Sequence, residues 1–145
     1  MTNLCTSTFL YVANCKLTSL PEFSKELRII DCENNQLRSL PELPPKLVEL
    51  RCGKNRFKTL PDLPDTLEIL YCNKNQLKTL PKLPANLKQL YCGGNRLQTL
   101  PALPHTLTML HCSDNPITVV PDIPSSITHL FIDVPHTKPC KCTIM

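Results

Sequence analysis

Tryptophan is absent from this sequence, and only 5% of its residues are aromatic. A large aromatic core is therefore excluded. No stretch approaches the roughly 18 apolar residues of a transmembrane helix. Residues 1–20 lack a basic start and a long apolar run, so no secretory signal peptide is expected. Excess charge is small: 16 Lys and Arg stand against 12 Asp and Glu, a net +4 that does not by itself imply nucleic acid. No C-x-x-C pair is present, which argues against a zinc site. A Ser-His-Asp arrangement and a phosphate-binding loop are likewise missing, so catalysis has little support and no cofactor is expected.

What the sequence has instead is leucine, proline and cysteine at fixed spacing. LPDLPDTLEILYCNKNQLKT, from Leu60, follows LPELPPKLVELRCGKNRFKT from Leu40. LPKLPANLKQLYCGGNRLQT and LPALPHTLTMLHCSDNPITV come next, so the period is 20 residues without insertion or deletion. A fixed period of about 20–50 residues signals a solenoid. Each unit holds L-x-x-L-x-C-x-x-N-x-L, as in Leu67, Leu70, Cys72, Asn75 and Leu77. That is the leucine-rich-repeat pattern, with cysteine where many repeats have leucine. The expected fold is a leucine-rich-repeat solenoid, a right-handed superhelix. A parallel β-sheet would form its concave face, and extended or polyproline II segments its convex face.

The nine cysteines are not read as a disulfide framework. Cys32, Cys52, Cys72, Cys92 and Cys112 occupy one column of the repeat. Neighbouring coils bring their Cα atoms within bridging range, but their Cβ vectors run parallel. The column is expected to be buried and reduced, with inert thiols, which points to a cytosolic compartment. Asn35, Asn55, Asn75, Asn95 and Asn115 follow three residues later. Their amides should satisfy backbone groups in the turn after each strand.

Three regions are expected along the chain. Residues 1–20 are a degenerate N-terminal repeat or cap, with Cys15 in place of the asparagine. Residues 21–134 are the solenoid, five full units and a partial one. Residues 135–145 are expected to be a flexible tail, PHTKPCKCTIM.

The unit LPxLPxxLxxLxCxxNxLxx resembles the bacterial leucine-rich-repeat effectors of the IpaH, SspH and YopM class, over about residues 10–134. The resemblance implies a protein delivered from a bacterium into the host cytosol, whose repeats bind a host protein. Ligase members of that class carry a large C-terminal domain with a nucleophilic cysteine, for which this chain has no room. The resemblance is therefore to the recognition module alone.

The last four residues, Cys142-Thr143-Ile144-Met145, read as a CaaX box of the farnesyl type. Host farnesyl transferase would modify Cys142, because bacteria do not prenylate such boxes. One prenyl chain binds membranes only marginally. Cys140 offers a second site, by palmitoylation.

Two surfaces are candidates for contact. One outward column of the sheet is Tyr11, Asp31, Arg51, Tyr71, Tyr91, His111 and Phe131; its neighbour contains Ile69, Met109 and His129. Arg51, Ile69, Tyr71, Tyr91, Met109, His111 and Phe131 are the expected protein-binding residues, since exposed aromatics tend to mark partner sites. The other surface is a basic edge holding Arg38, Lys54, Arg56, Lys58, Lys74, Lys78 and Arg96, read first as a solvated face and second as a contact with anionic lipid. It lacks interleaved aromatics, so nucleic acid is not expected. The leading expectation is a monomeric, non-enzymatic effector that binds a host protein through its concave face and is held on a host membrane by farnesylation. The alternatives are a recognition module for a ubiquitin ligase supplied in trans, and an unmodified soluble repeat binding protein.

Overall fold

In the computed structural model, residues 7–133 are described. Seven strands of three residues follow one another at the repeat period: β1 (Phe9–Tyr11), β2 (Ile29–Asp31), β3 (Glu49–Arg51), β4 (Ile69–Tyr71), β5 (Gln89–Tyr91), β6 (Met109–His111) and β7 (His129–Phe131). They pair in sequence order into one parallel sheet. Every register step is the period itself: Ile30 faces Leu50, which faces Leu70, which faces Leu90. The chain is thus a parallel-strand solenoid with the leucine-rich-repeat fold, and no helix occurs among the described residues.

Each strand is short because only its central residue points inward. Ile30, Leu50, Leu70, Leu90 and Leu110 are fully buried. The cysteine column lies beside them, joined by Leu37, Phe57, Leu77, Leu97 and Ile117, and by Leu47, Leu67, Leu87 and Leu107 from the return segment. One continuous core runs the length of the described chain.

Proline organises the return. The second proline of each pair has a carbonyl but no N–H, and it begins a four-residue turn. Leu67 N–H donates to the Pro64 carbonyl at 3.0 Å, and Leu47, Leu87, Leu107 and Ile127 repeat the bond to Pro44, Pro84, Pro104 and Pro124. That turn aims the chain back at the next strand.

Asparagine organises the other end. Asn75 Nδ2 donates to the carbonyls of Cys52 and Cys72, each at 3.1 Å, and its Oδ1 accepts from Phe57 N–H at 3.1 Å. One amide therefore binds its own coil and the one before it. Asn35, Asn55, Asn95 and Asn115 make the equivalent bonds. Among the described residues no buried side-chain nitrogen or oxygen lacks a partner. The first coil has no such asparagine, and Cys15 N–H instead donates to Asn35 Oδ1 at 3.1 Å.

The residue before each asparagine, and Asn14 before Cys15 in the first coil, is held in a left-handed conformation. Asn14, Asn34, Lys54, Lys74 and Asp114 adopt positive φ between 51° and 60°, and Gly94 has φ 66°. This left-handed geometry turns the chain out of the strand. It lets the backbone N–H reach the next coil, as Lys54 N–H does to the Asn73 carbonyl at 2.8 Å. Asn, Asp and Gly tolerate the conformation best, and four of the six positions in this column hold them. Column composition was the available signal.

Candidate functional site: the outer face of the sheet

The residues flanking each central strand residue point away from the core. Column spacing is set by the coil repeat of about 4.8 Å, which brings planar side chains on adjacent coils into stacking range. Tyr71 and Tyr91 stack with ring centroids 4.4 Å apart and planes 9° from parallel. Tyr91 and His111 continue the stack at 6.4 Å, and His111 meets Phe131 at 5.4 Å. Before them, the Arg51 guanidinium lies over the Tyr71 ring, 5.2 Å from its centroid. Arg51 Nε also donates to Glu49 on its own strand. The result is one unbroken column, Arg51-Tyr71-Tyr91-His111-Phe131.

Two glycines shape this face. A Cβ on Gly93 would lie 2.7 Å from His111 Nδ1, so the missing side chain is what seats the imidazole against the preceding coil. Gly53 accommodates the Asn73 amide in the same way. Neither contact is evident without the stacked coils.

The expected binding residues therefore lie on one surface. Ile69 and Met109 stand in the adjacent column, half-buried, separated by Gln89. Phe131 remains 49% exposed because no described coil follows it. At the opposite end Phe9 is 49% and Tyr11 68% exposed. Asp31 interrupts the aromatic column between Tyr11 and Arg51. Burial pushes the Tyr71 phenol up from its ordinary value, and the neighbouring Tyr91 adds to the effect. Tyr71 therefore presents a neutral hydroxyl to a partner at neutral pH.

The thiol column is chemically quiet. Cys32, Cys52, Cys72, Cys92 and Cys112 are free and buried. Desolvation pushes Cys32 and Cys112 up to about 12, with nearby Asp31 and Asp133 adding to it respectively, and raises the three inner thiols well above their ordinary value. A thiol held protonated is a poor nucleophile and a poor metal ligand. Cys15 is free and exposed. Among the described residues no group of three or more His, Cys, Asp or Glu is placed to hold a metal. Cys140 and Cys142, the expected lipid-attachment residues, lie outside the described residues.

No family model and no curated protein sequence matches the chain. Solved structures do. YopM from Yersinia enterocolitica is 39% identical with a TM-score of 0.81, covering 81% of this chain and 26% of that protein. A Shigella effector leucine-rich-repeat domain is 32% identical with a TM-score of 0.84, covering 91% of this chain and 62% of that one. YopM from Yersinia pestis, titled a leucine-rich effector protein, is 31% identical with a TM-score of 0.78, covering 86% and 42%. The chain thus spans between about a quarter and three fifths of these neighbours' length. Its structural neighbours are bacterial effector repeat domains, and it has their leucine-rich-repeat fold.

Proposed function

We propose that this chain is a non-enzymatic binding module of a bacterial effector, exported and acting on a host-cell protein that docks on the outer face of the sheet. The carrying observation is the continuous column from Arg51 through Tyr71, Tyr91 and His111 to Phe131. Stacked rings offer a large contact area that is already rigid, so little side-chain entropy is lost on binding. Tyr and Arg are also the residue types that dominate binding energy at protein interfaces. Ile69 and Met109 widen the apolar strip. The likeness to solved effector domains supports the export and the host-cell setting.

Proteins captured from host lysate by the intact chain would be compared with those captured by Tyr71→Ala and Tyr91→Ala. The expected result is one partner whose affinity falls at least about tenfold in either variant, with backbone amide exchange slowed on β4 to β6 in its complex. A partner retained equally by both variants would refute the sheet-face reading.

A lipid anchor is a second element of the proposal, carried by the Cys142-Thr143-Ile144-Met145 ending. Under this reading Cys142 is farnesylated by the host enzyme, and Cys140 is available for palmitate. Localisation in animal cells of the chain tagged at its N-terminus tests it. Membrane association lost in Cys142→Ser and under a farnesyl-transferase inhibitor supports the anchor, and a parent chain that is soluble and unmodified by intact mass refutes it.

A further inference from the structure

Between residues 34 and 98 the side of the solenoid where the chain leaves each strand is rich in cations, and the acidic Glu33 and Asp114 flank that stretch. Three columns run along it: Asn34, Lys54, Lys74, Gly94; Gln36, Arg56, Gln76, Arg96; and Arg38, Lys58, Lys78, Gln98. Seven of these twelve positions are cationic and none is acidic. Lys54 pairs with Glu33 at 3.0 Å. Among the described residues, the other six cations have no carboxylate within ion-pair distance. On the proline side Lys46 and Lys88 are paired with Glu26 and Glu68 one coil earlier.

Four residues of these columns, Arg38, Arg56, Lys58 and Gln76, line one recess between adjacent coils. Three cations around a concavity repel one another, and no acidic side chain lines it to relieve them. The recess presents two guanidinium forks, an ammonium and a carboxamide, with no ionised acceptor. A guanidinium matches a tetrahedral oxyanion through two parallel N–H donors, and it keeps its charge at every relevant pH.

We infer that this recess binds a phosphate monoester carried on a protein segment. A membrane source is less consistent with the surface. Of the large exposed apolar side chains of the described chain, Phe9, Tyr11 and Phe131 lie on the sheet strands, and Val119 lies one coil beyond Thr99, away from the recess. A lipid surface is bound best by cations flanking apolar groups that enter it. Here the cations surround a recess, which fits one phosphorylated side chain. The site lies on a different surface from the aromatic column and relies on the protein-binding reading only for the carrier of the phosphate.

Nuclear magnetic resonance titration with a short alanine peptide bearing one phosphoserine tests the assignment, read at the arginine Nε–H signals. The unphosphorylated peptide, inorganic phosphate, and vesicles of phosphatidylcholine containing a phosphoinositide are run in parallel. The phosphopeptide is expected to shift Arg38 and Arg56 selectively. Its affinity should fall about tenfold in Arg38→Gln or Arg56→Gln and less in Arg56→Lys, which keeps the charge but loses the fork. Arg96→Gln, outside the recess, should leave the affinity near its starting value. Arg38, Arg56 and Arg96 are exposed, so their substitution should leave the fold unaffected. Even shifts across all the cations, or equal losses in Arg96→Gln, would overturn the site. Inorganic phosphate matching the phosphopeptide, or vesicle binding lost in Arg56→Gln with no peptide response, would overturn the protein source. Tyr71→Ala should leave the peptide titration unchanged, so this site and the sheet-face reading fail separately.

Discussion

The inner coils and the end coils are built from the same repeat, yet they differ in what the fold makes of it. Ile30, Leu50, Leu70, Leu90 and Leu110 are fully buried, whereas Leu10 and Leu130 at the same column position are only half-buried. Asn75 is buried, whereas Asn115 is partly exposed. Nothing in the side chains accounts for the difference. Burial in a solenoid is supplied by the neighbours on each side, so stability is a sum over interfaces between coils.

Breaking the asparagine ladder should give the largest effect. Asn75→Ala leaves Phe57 N–H and the Cys52 and Cys72 carbonyls without their partner, an expected loss of about 3–5 kcal/mol. Asn115→Ala, near the end, should cost about half as much, as measured by urea denaturation. Equal losses would show that the coils do not differ in this way. Next come the central leucines. Leu70→Ala should destabilise by about 3–4 kcal/mol, and Leu130→Ala by about 1–2, because water already reaches the second site.

The cysteines sharpen the comparison through pH. Cys32 and Cys112 are pushed up to about 12 from an ordinary value of 9.0. Between those values the native thiols hold protons that the unfolded chain has released. The contribution of these two thiols should therefore be intact below about pH 9 and be lost as pH rises from there through about 12. Denaturation midpoints across that range test the sign. In the native state a thiol reagent at neutral pH should label Cys15 alone among the described cysteines, the column reacting only on unfolding.

Smaller effects are expected at the turn. Gly94→Ala places a Cβ at φ 66° and should cost about 1–2 kcal/mol. Lys74→Gly relaxes the same conformation one coil earlier and should stabilise by up to about 1 kcal/mol, read as a rise in melting temperature. Removing the exposed Lys46–Glu26 pair should change stability by less than about 1 kcal/mol.

Much of the architecture was legible beforehand. The period, the strand at Ile69–Tyr71, the buried reduced thiols and the asparagine bonds all follow from columns that repeat without a gap. A solenoid stacks residues one period apart, so alignment of the sequence with itself is already a contact map. The outward columns were legible as positions, and Arg51, Tyr71, Tyr91, His111 and Phe131 do share one surface. The left-handed turn is hard to read from the letters because its column mixes Lys with Asn, Asp and Gly, and lysine hides a signal that the other residues carry.

The order of residues was enough to set register, core and sheet, because each depends on identity at a fixed spacing. Other features required the coils to be laid against one another. The guanidinium of Arg51 had to settle on Tyr71, and His111 had to lean into the space left by Gly93. Arg38, Arg56 and Lys58 had to converge on a recess that neither of their coils forms alone. These are outcomes of rotamer choice and of packing across the coil interface. A column of letters says which side chains are neighbours, and only their packing decides which of them meet.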